Sequence, residues 1–415
     1  MGGEKCQSPP EMVDALQKIN ELLRAIVPGN RFYAEKLGGL GEVASLAEFS
    51  LRVPFTTKEE LAADHESHPP YGTTHTFPLE RYHRFHQTSG TRGKPLIWLD
   101  EPDGWAWILD NWEWVWRGAG VTAGDTAFFP FSFGPFLGFW AGFEAATRMG
   151  VRAVPGGGLS SEDRLNLLTR SGASVLCCTP TYALRLAEVG AALGLPVATL
   201  GVKKLIVCGE PGGSIPQVRA RIEAAWGARV YDHHGMTEIG PVSVSSEADP
   251  DVLLLRHAAY FCEVVDPATG APTPAGGTGE LVLTTLGRFG SPLVRYRTGD
   301  LVRPVATAVP GEFALAGGIL NRTDDMVVIR GINIHPSSID AIIRSIPEIA
   351  EYQVEVDQRP ALAELRVTVE AGEPAASALA QQLRTTFSLR IPVTAVPAGS
   401  LPTFEVKAKR WNILR

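Results

Sequence analysis

Apolar residues recur at helical spacing from residue 11 to 26 (Met12, Leu16, Ile19, Leu22, Leu23, Ile26), which predicts an amphipathic helix there. Residues 98 to 116 hold six of the nine tryptophans, and Trp105, Ile108, Leu109, Trp112, Val115 and Trp116 share one helical face. That face is expected to pack into a core, with a partner surface as the alternative. Short apolar runs then alternate with amphipathic stretches: "DTAFFPF" and a Gly-rich helix, "GVRAVPGG" and "SEDRLNLLTRSG", "ASVLCCTP" and "TYALRLAEVGAAL", "VKKLIVCGEP" and "IPQVRARIEAAWG". This alternation predicts a doubly wound, mostly parallel sheet.

After "ARVYDHHGMTEIG" the pattern becomes β-rich, and "DPATGAPTPAGGTGE" has the Pro/Gly density of a hairpin loop. A second shift falls near "GGILNRTDD". Beyond it a helix ("PSSIDAIIRSI"), strands ("AEYQVEVD", "ELRVTVEA"), a further helix and a strand make a small α+β unit. The expected fold class is therefore α/β. A large N-terminal domain (residues 1–321) carries the doubly wound sheet and a β-rich subdomain, and a small C-terminal domain (residues 322–415) follows a hinge at Arg322 to Asp324.

The stretch "QTSGTRGKP" (87–95) has the glycines, hydroxyls and lysine of a phosphate-holding loop, but not the spacing of a Walker loop, and Pro95 follows Lys94. Its flanks, "YHRFHQ" and "PLIWLD", read as strand, loop, strand, whereas a Walker loop opens a helix.

Composition narrows the function classes. A formal charge of −7 argues against a general nucleic-acid binder, and the basic cluster "VKAKRWNILR" is expected to be solvated. Five cysteines without a CxxC pair suit a reducing, cytoplasmic setting. The N-terminus lacks an apolar signal region. The uncharged run 127–143 is broken by Pro130, Gly134, Pro135, Gly138 and Gly142, so it reads as a buried strand and helix rather than a membrane span.

Individually weak motifs gain force from their order: "QTSGTRGKP", "CGEPGG", "YDHHGMTEIG", "RYRTGDL", "NRTDDMVVIRG" and "EVKAKR". This succession resembles the adenylate-forming superfamily of acyl- and aryl-CoA synthetases. "NRFYAEKL", "VPFTTKEEL", "RGINIHPSSID" and "YQVEV" resemble its phenylacetate-CoA ligase branch in particular.

The resemblance implies an enzyme that uses ATP and Mg²⁺ to adenylate a carboxylic acid, expected to be aromatic, and then transfers the acyl group to coenzyme A. Chemically, the carboxylate must be brought in line with the α-phosphorus, and charge spreading onto phosphate oxygens must be neutralised. Thr88, Ser89, Gly90, Thr91 and Gly93 would cradle the β- and γ-phosphates, with Lys94 adding charge. Gly209, Glu210 and Pro211 would line the purine. Carried over onto "DHHGMTE", Asp232 accepts from the adenine amino group and His234 lies against its ring. Thr237 meets the α-phosphate and Glu238 holds Mg²⁺, with His233, Gly235 and Met236 completing the nucleotide segment. Ligation of a transition metal by Asp232, His233 and His234 is disfavoured, because adjacent residues point in different directions. Asp300 suits the ribose hydroxyls, Arg322 the ribose or phosphate region, Asp324 the hinge, and Lys407 the mobile catalytic lysine, with Lys409 as competitor.

For the acid pocket, Phe131, Phe133, Phe136, Phe139, Tyr182, Gly212 and Gly213 are the candidates. The chain departs from the family pattern at Arg92, at His234 (a tyrosine is commoner) and at Val406 (for glycine). The segment "SVSSEADPDVLLLRH" supplies Ser245 and Ser246 where many relatives carry a Cys/His cluster, so no structural zinc is expected. Two alternatives stay open: loading of a carrier protein's phosphopantetheine thiol, and a nucleotide-binding homologue without catalysis. No nucleic-acid or membrane partner is expected, and a homodimer is left open.

Overall fold

Each apolar run predicted between 126 and 236 forms a strand in the computed structural model, which describes residues 10–414 except 89–93, 246, 275, 307–312, 324–326, 330–331, 360–362, 403 and 405–408. The chain begins with helices α1 (Pro10–Ile26), α2 (Arg31–Lys36), α3 (Leu46–Arg52) and α4 (Lys58–Ser67). Asn30, Ser45 and Thr57 cap the last three by accepting from backbone N–H groups one turn on. The apolar stripe of α1 is buried with Tyr33, Phe49, Leu286 and Val294, so these helices cover the β-rich subdomain.

The "QTSGTRGKP" flanks form an antiparallel hairpin of β1 (Arg84–Gln87) and β2 (Ile97–Asp100). Helix α5 (Pro102–Gly118) follows directly, with Pro102 in its first turn and Glu101 capping Gly104 N–H. Its tryptophan face is core, as predicted: Trp105, Ile108, Trp112, Val115 and Trp116 are all buried.

The alternating segment then supplies β3 (Thr126–Phe129), α6 (Leu137–Arg148), β4 (Arg152–Pro155), α7 (Ser161–Ser171), β5 (Val175–Cys178), α8 (Pro180–Ala192), β6 (Lys204–Cys208), α9 (Pro216–Trp226) and β7 (Arg229–Met236). Strands β4, β3, β5, β6 and β7 pair in that order, all parallel. Helices α5 and α6 cover one face, with Phe129 and Tyr231 beneath them. Helices α7, α8 and α9 cover the other, over Phe128 and Val230. Burial on both faces explains why β5 reads as an unbroken apolar run. The uncharged run 127–143 is thus divided between β3, a loop and α6, and among the described residues no helix is long and apolar enough to cross a membrane.

Beyond β7 the same sheet continues antiparallel through β8 (Gly240–Ser245), β9 (Val252–Leu255), then β14 (Phe313–Ala316) and β13 (Pro304–Val305). Strands β10 (Tyr260–Val265), β11 (Gly279–Thr285), β12 (Tyr296–Val302) and β15 (Asn321–Arg322) form the antiparallel sheet of the subdomain. The Pro/Gly-rich segment is the β10–β11 hairpin loop. Because β15 pairs with β12, Arg322 is placed in a sheet of the large domain, although the sequence reading starts the small domain with it.

The small unit has its own core. It comprises β16 (Val327–Ile329), β17 (Ile332–Ile334), α10 (Pro336–Arg344), β18 (Tyr352–Asp357), β19 (Glu364–Glu370), α11 (Glu373–Phe387), β20 (Val393–Val396) and β21 (Trp411–Leu414). Strand β21 pairs parallel with β18, and Arg410 makes a two-pronged ion pair with Glu351. The basic terminus is therefore not simply solvated: its last part is an edge strand, whose partner lies too far upstream for composition to reveal.

A fully buried ion pair joins hairpin and subdomain. Arg288 donates through Nε and Nη2 to the two Asp100 oxygens, each at 2.7 Å, and through Nη1 to the Glu238 carbonyl at 2.7 Å. Replacing Arg288 with Met is expected to cost about 3–5 kcal/mol in urea unfolding, because the Asp100 carboxylate is left buried without its partner. A loss below about 1 kcal/mol would show that the site relaxes to admit water.

Candidate active site

Strand β7 is the axis of the site, and its alternation divides the motif between two layers. Tyr231 and His233 face α5 and α6, where the rings of His233 and Trp112 lie 4.3 Å apart. Val230, Asp232 and His234 face the opposite way. A bulge between His234 and Gly235 ends regular pairing where the chain reverses into β8. Gly209–Gly213 after β6 and Gly235–Glu238 at the end of β7 therefore meet at the carboxyl ends of neighbouring parallel strands, the usual ligand crevice of such sheets.

Glycine is required twice in this crevice. Gly209 has φ +90°, and a Cβ at Gly213 would lie 2.6 Å from Asp232 Cβ. The Asp232 carboxylate accepts from Ser214 Oγ at 2.5 Å. Burial raises its pKa, and the Ser214 hydrogen bond opposes that rise. Glu210 accepts from Thr181 N–H at 2.8 Å, the first turn of α8, and from the small domain Arg410 approaches Thr181 Oγ1 at 3.4 Å.

Across the crevice, β12 presents Tyr296, Thr298 and Asp300 on its buried side. Asp300 Oδ2 lies 3.0 Å from His234 Nε2, and Asp300 Oδ1 accepts from Arg322 Nη1 at 2.7 Å. Arg322 also donates to the Thr298 carbonyl at 3.2 Å. The His234 Nδ1 is buried and has no hydrogen-bond partner among the described residues. Glu238 is also buried, and its Oε1 accepts from the Tyr296 hydroxyl at 3.1 Å. Burial, then the nearby Glu238 charge, pushes that phenol's pKa well up, so it stays a donor. A carboxylate whose near partner is a phenol rather than a cation keeps its charge available for a hard metal ion such as Mg²⁺.

Asp232, His234, Glu238, Asp300 and Arg322 thus line one crevice with Gly209–Gly213. Thr88 sits at the end of the hairpin, its hydroxyl accepting from Leu96 N–H at 3.0 Å. Lys94 is exposed and pairs with Glu66 at 3.2 Å. Ser89, Gly90, Thr91, Gly93, Asp324 and Lys407 lie outside the described residues. Phe131, Phe133 and Phe139 form one cluster, Phe131 stacking on Phe139 at 4.1 Å, with Phe136 edge-on to Phe139.

Two expectations are corrected. Tyr182 does not join that cluster: it is buried between α7 and α8, its hydroxyl accepting from Arg164 at 2.6 Å and touching Ser161 Oγ at 2.9 Å. Gly212 lies in the same layer, where its Cβ would meet Pro180 at 2.5 Å. His233, expected to complete the nucleotide segment, lies instead against Trp112 in the layer opposite Asp232 and His234, as successive strand residues face opposite ways. Sequence reasoning missed Ser214, Tyr296, Arg288, Trp112 and Arg410. For Tyr296 a signal existed: it stands four residues before Asp300 in "RYRTGDL", hence on the same side of a strand.

The family described as AMP-binding enzyme matches residues 85–289, and its C-terminal domain family matches residues 331–413. A phenylacetate-coenzyme A ligase of Aromatoleum evansii is 32% identical over 339 residues, covering 80% of this chain and 73% of the relative. That of Escherichia coli K12 is 29% identical over 395 residues, covering 90% and 86%. A solved 2-hydroxyisobutyryl-CoA ligase, in the postadenylation state with 2-HIB-AMP, superposes with TM-score 0.90 at 28% identity, covering 99% of this chain and 94% of that one. In its thioesterification state, with CoA also bound, the TM-score is 0.73 at 28% identity, over 100% and 95% of the chains.

Two imidazoles border the site in neutral form. Burial pushes His86 and His233 down to about 4. Unfolded imidazoles titrate near 6.5, so between about 6.5 and 4 the unfolded chain binds protons that the folded chain refuses. Their contribution to stability is full above 6.5 and is lost as pH falls towards 4. In urea unfolding from pH 7 to 4.5, His86→Gln is expected to flatten this loss by up to one proton, about 1.4 kcal/mol per pH unit. Equal slopes for variant and wild type would show that His86 titrates normally.

Proposed function

The chain belongs to the phenylacetate-coenzyme A ligase family of AMP-binding enzymes, and on that premise we propose that it joins an aryl carboxylic acid to the thiol of coenzyme A at the expense of ATP. The observation that carries the reading is the crevice at the carboxyl ends of β6 and β7. There a buried carboxylate (Asp232), a His234–Asp300–Arg322 cluster and Glu238 face one another across a glycine-rich segment.

In the first half-reaction the acid's carboxylate oxygen bonds to the α-phosphorus and pyrophosphate leaves. In the second, the thiol sulfur bonds to the acyl carbon and AMP leaves, the thiol proton passing to solvent or base. Asp232 accepts from the adenine amino group and Gly209–Pro211 lie along the purine. Asp300, fixed from both sides by His234 and Arg322, accepts from the ribose hydroxyls. Thr237 meets the α-phosphate, and the hydroxyls, amides and cation of the Thr88–Lys94 sequence would hold the distal phosphates. Glu238 would hold Mg²⁺, which supplies charge neutralisation on phosphate oxygens. The cluster of Phe131, Phe133 and Phe139 favours an aromatic acid over a small aliphatic one. Residues after Arg322 would reorient between the half-reactions, with Asp324 as hinge. A reducing, cytoplasmic setting belongs to the same reading, since Cys177, Cys178, Cys208 and Cys262 are free thiols.

ATP–pyrophosphate exchange over a panel of aryl and aliphatic acids tests the reading, and free coenzyme A against a carrier-protein thiol identifies the acceptor. Glu238→Gln is expected to slow adenylation on the order of 10²–10³-fold. A near-normal rate at saturating Mg²⁺ would remove that assignment. Lys407→Ala should abolish most adenylation yet leave thioester formation from a pre-made acyl-adenylate intact. If adenylation is unchanged in Lys407→Ala, the exposed Lys409 takes its place.

A further inference from the structure

Arg410 belongs to the small domain but reaches into the large one. Its Nε and Nη2 donate to the two Glu351 oxygens at 2.6 and 2.9 Å, which leaves Nη1 to point outwards, 3.4 Å from Thr181 Oγ1. The Tyr352 and Phe404 rings lie 5.2 and 5.7 Å from its Cζ, and its backbone carbonyl accepts from Val354 N–H at 2.8 Å. The small domain therefore holds this guanidinium ready-made. A planar fork fixed in this way loses little rotamer freedom when a further partner arrives.

That partner stands at a sensitive place. Thr181 lies in the first turn of α8, and its N–H donates to Glu210 at 2.8 Å. Glu210 stands between Gly209 and Pro211, and its charge also acts on Arg410. One threonine thus joins a cation of the small domain to the Gly209–Gly213 segment of the crevice. Along the chain, Arg410 is three residues after Lys407 and directly precedes β21, which pairs with β18. The chain superposes more closely on the postadenylation state of the solved ligase than on its thioesterification state. The Arg410–Thr181 contact is accordingly found in a domain arrangement nearer the former.

We propose that Arg410 is a positioning residue for adenylation: braced by Glu351, it docks on Thr181 and holds the small domain where Lys407 serves the first half-reaction. This rests on the acid–thiol ligase reading and adds to it the contact that must break before the thiol reacts. A contact made in one orientation and lost in the other biases the two populations by its own free energy and no more. Its loss therefore slows the half-reaction that needs the contact and spares the other.

The experiment measures each half-reaction separately in the full chain. Adenylation is followed as ATP–pyrophosphate exchange with phenylacetate, or with the acid that wild type exchanges fastest. Thioester formation is followed in a single turnover from the pre-made adenylate of that acid with coenzyme A. Thr181→Val removes the hydroxyl, keeps the shape and leaves the N–H to Glu210. It is expected to slow exchange about three- to tenfold, the range of one net hydrogen bond, with thioester formation unchanged or faster. Arg410→Gln should show the same one-sided loss, and adding Thr181→Val to it should slow exchange no further, because both remove one contact. Full exchange in Thr181→Val overturns the proposal, and that variant decides alone if Arg410→Gln does not fold. Equal losses in both half-reactions also overturn it, since a merely structural arginine would weaken the two together. No exchange with any acid by folded wild-type protein overturns the ligase reading itself, and this assignment with it.

Discussion

The buried pair of Asp100 and Arg288 is the constraint on which the site depends. Asp100 ends the hairpin that carries the candidate phosphate loop, and Arg288 leaves the subdomain strand β11. Its third nitrogen holds the backbone carbonyl of Glu238, so one guanidinium sets hairpin, subdomain and candidate metal carboxylate against one another. Two ions out of water are costly, and this pair is tolerable because every strong donor and acceptor has a partner in good geometry. The neighbouring His86 stacks on Trp105 and stays neutral, chiefly through burial, so no second cation competes with Arg288 for Asp100.

Around that joint, β7 faces two layers with one strand. A period of two sends Asp232 and His234 towards the crevice and His233 towards the aromatic layer of α5 and α6. The bulge after His234 then redirects the chain so that Glu238 lies beside Tyr296 of the second sheet. The small domain meets this arrangement through Arg410, which is bound to Glu351 of its own domain and reaches Thr181 at the start of α8. Glu210 accepts from the N–H of that same residue, so the Gly209–Gly213 segment and the domain contact share one helix start.

Much of the large domain was legible locally. The hairpin flanks of "QTSGTRGKP", the tryptophan face of α5 and the strand–helix alternation are patterns with periods of two and 3.6, set by backbone geometry alone. The motif order likewise pointed to Asp232, His234, Glu238, Asp300 and Arg322, and the fold does bring these together. Less legible was which layer each candidate joins. Tyr182 and Phe131 are both aromatic and near strand ends, yet the sheet lies between them, and only crossover geometry decides that.

By itself, then, the sequence determined the elements, their α/β order and the family-bearing motifs, because these depend on residues close along the chain. Tertiary structure alone decided the Asp100–Arg288 joint, spanning 188 residues, the pinning of Glu238 by Tyr296 across 58, and the recruitment of the basic terminus as β21. It also decided the tautomer of His233, through a carbonyl on the next strand. Each of these depends on burial and on a partner brought close by the folded chain. Neither leaves a periodic trace in the sequence, since a buried charge or imidazole is tolerated only where the rest of the fold supplies its complement.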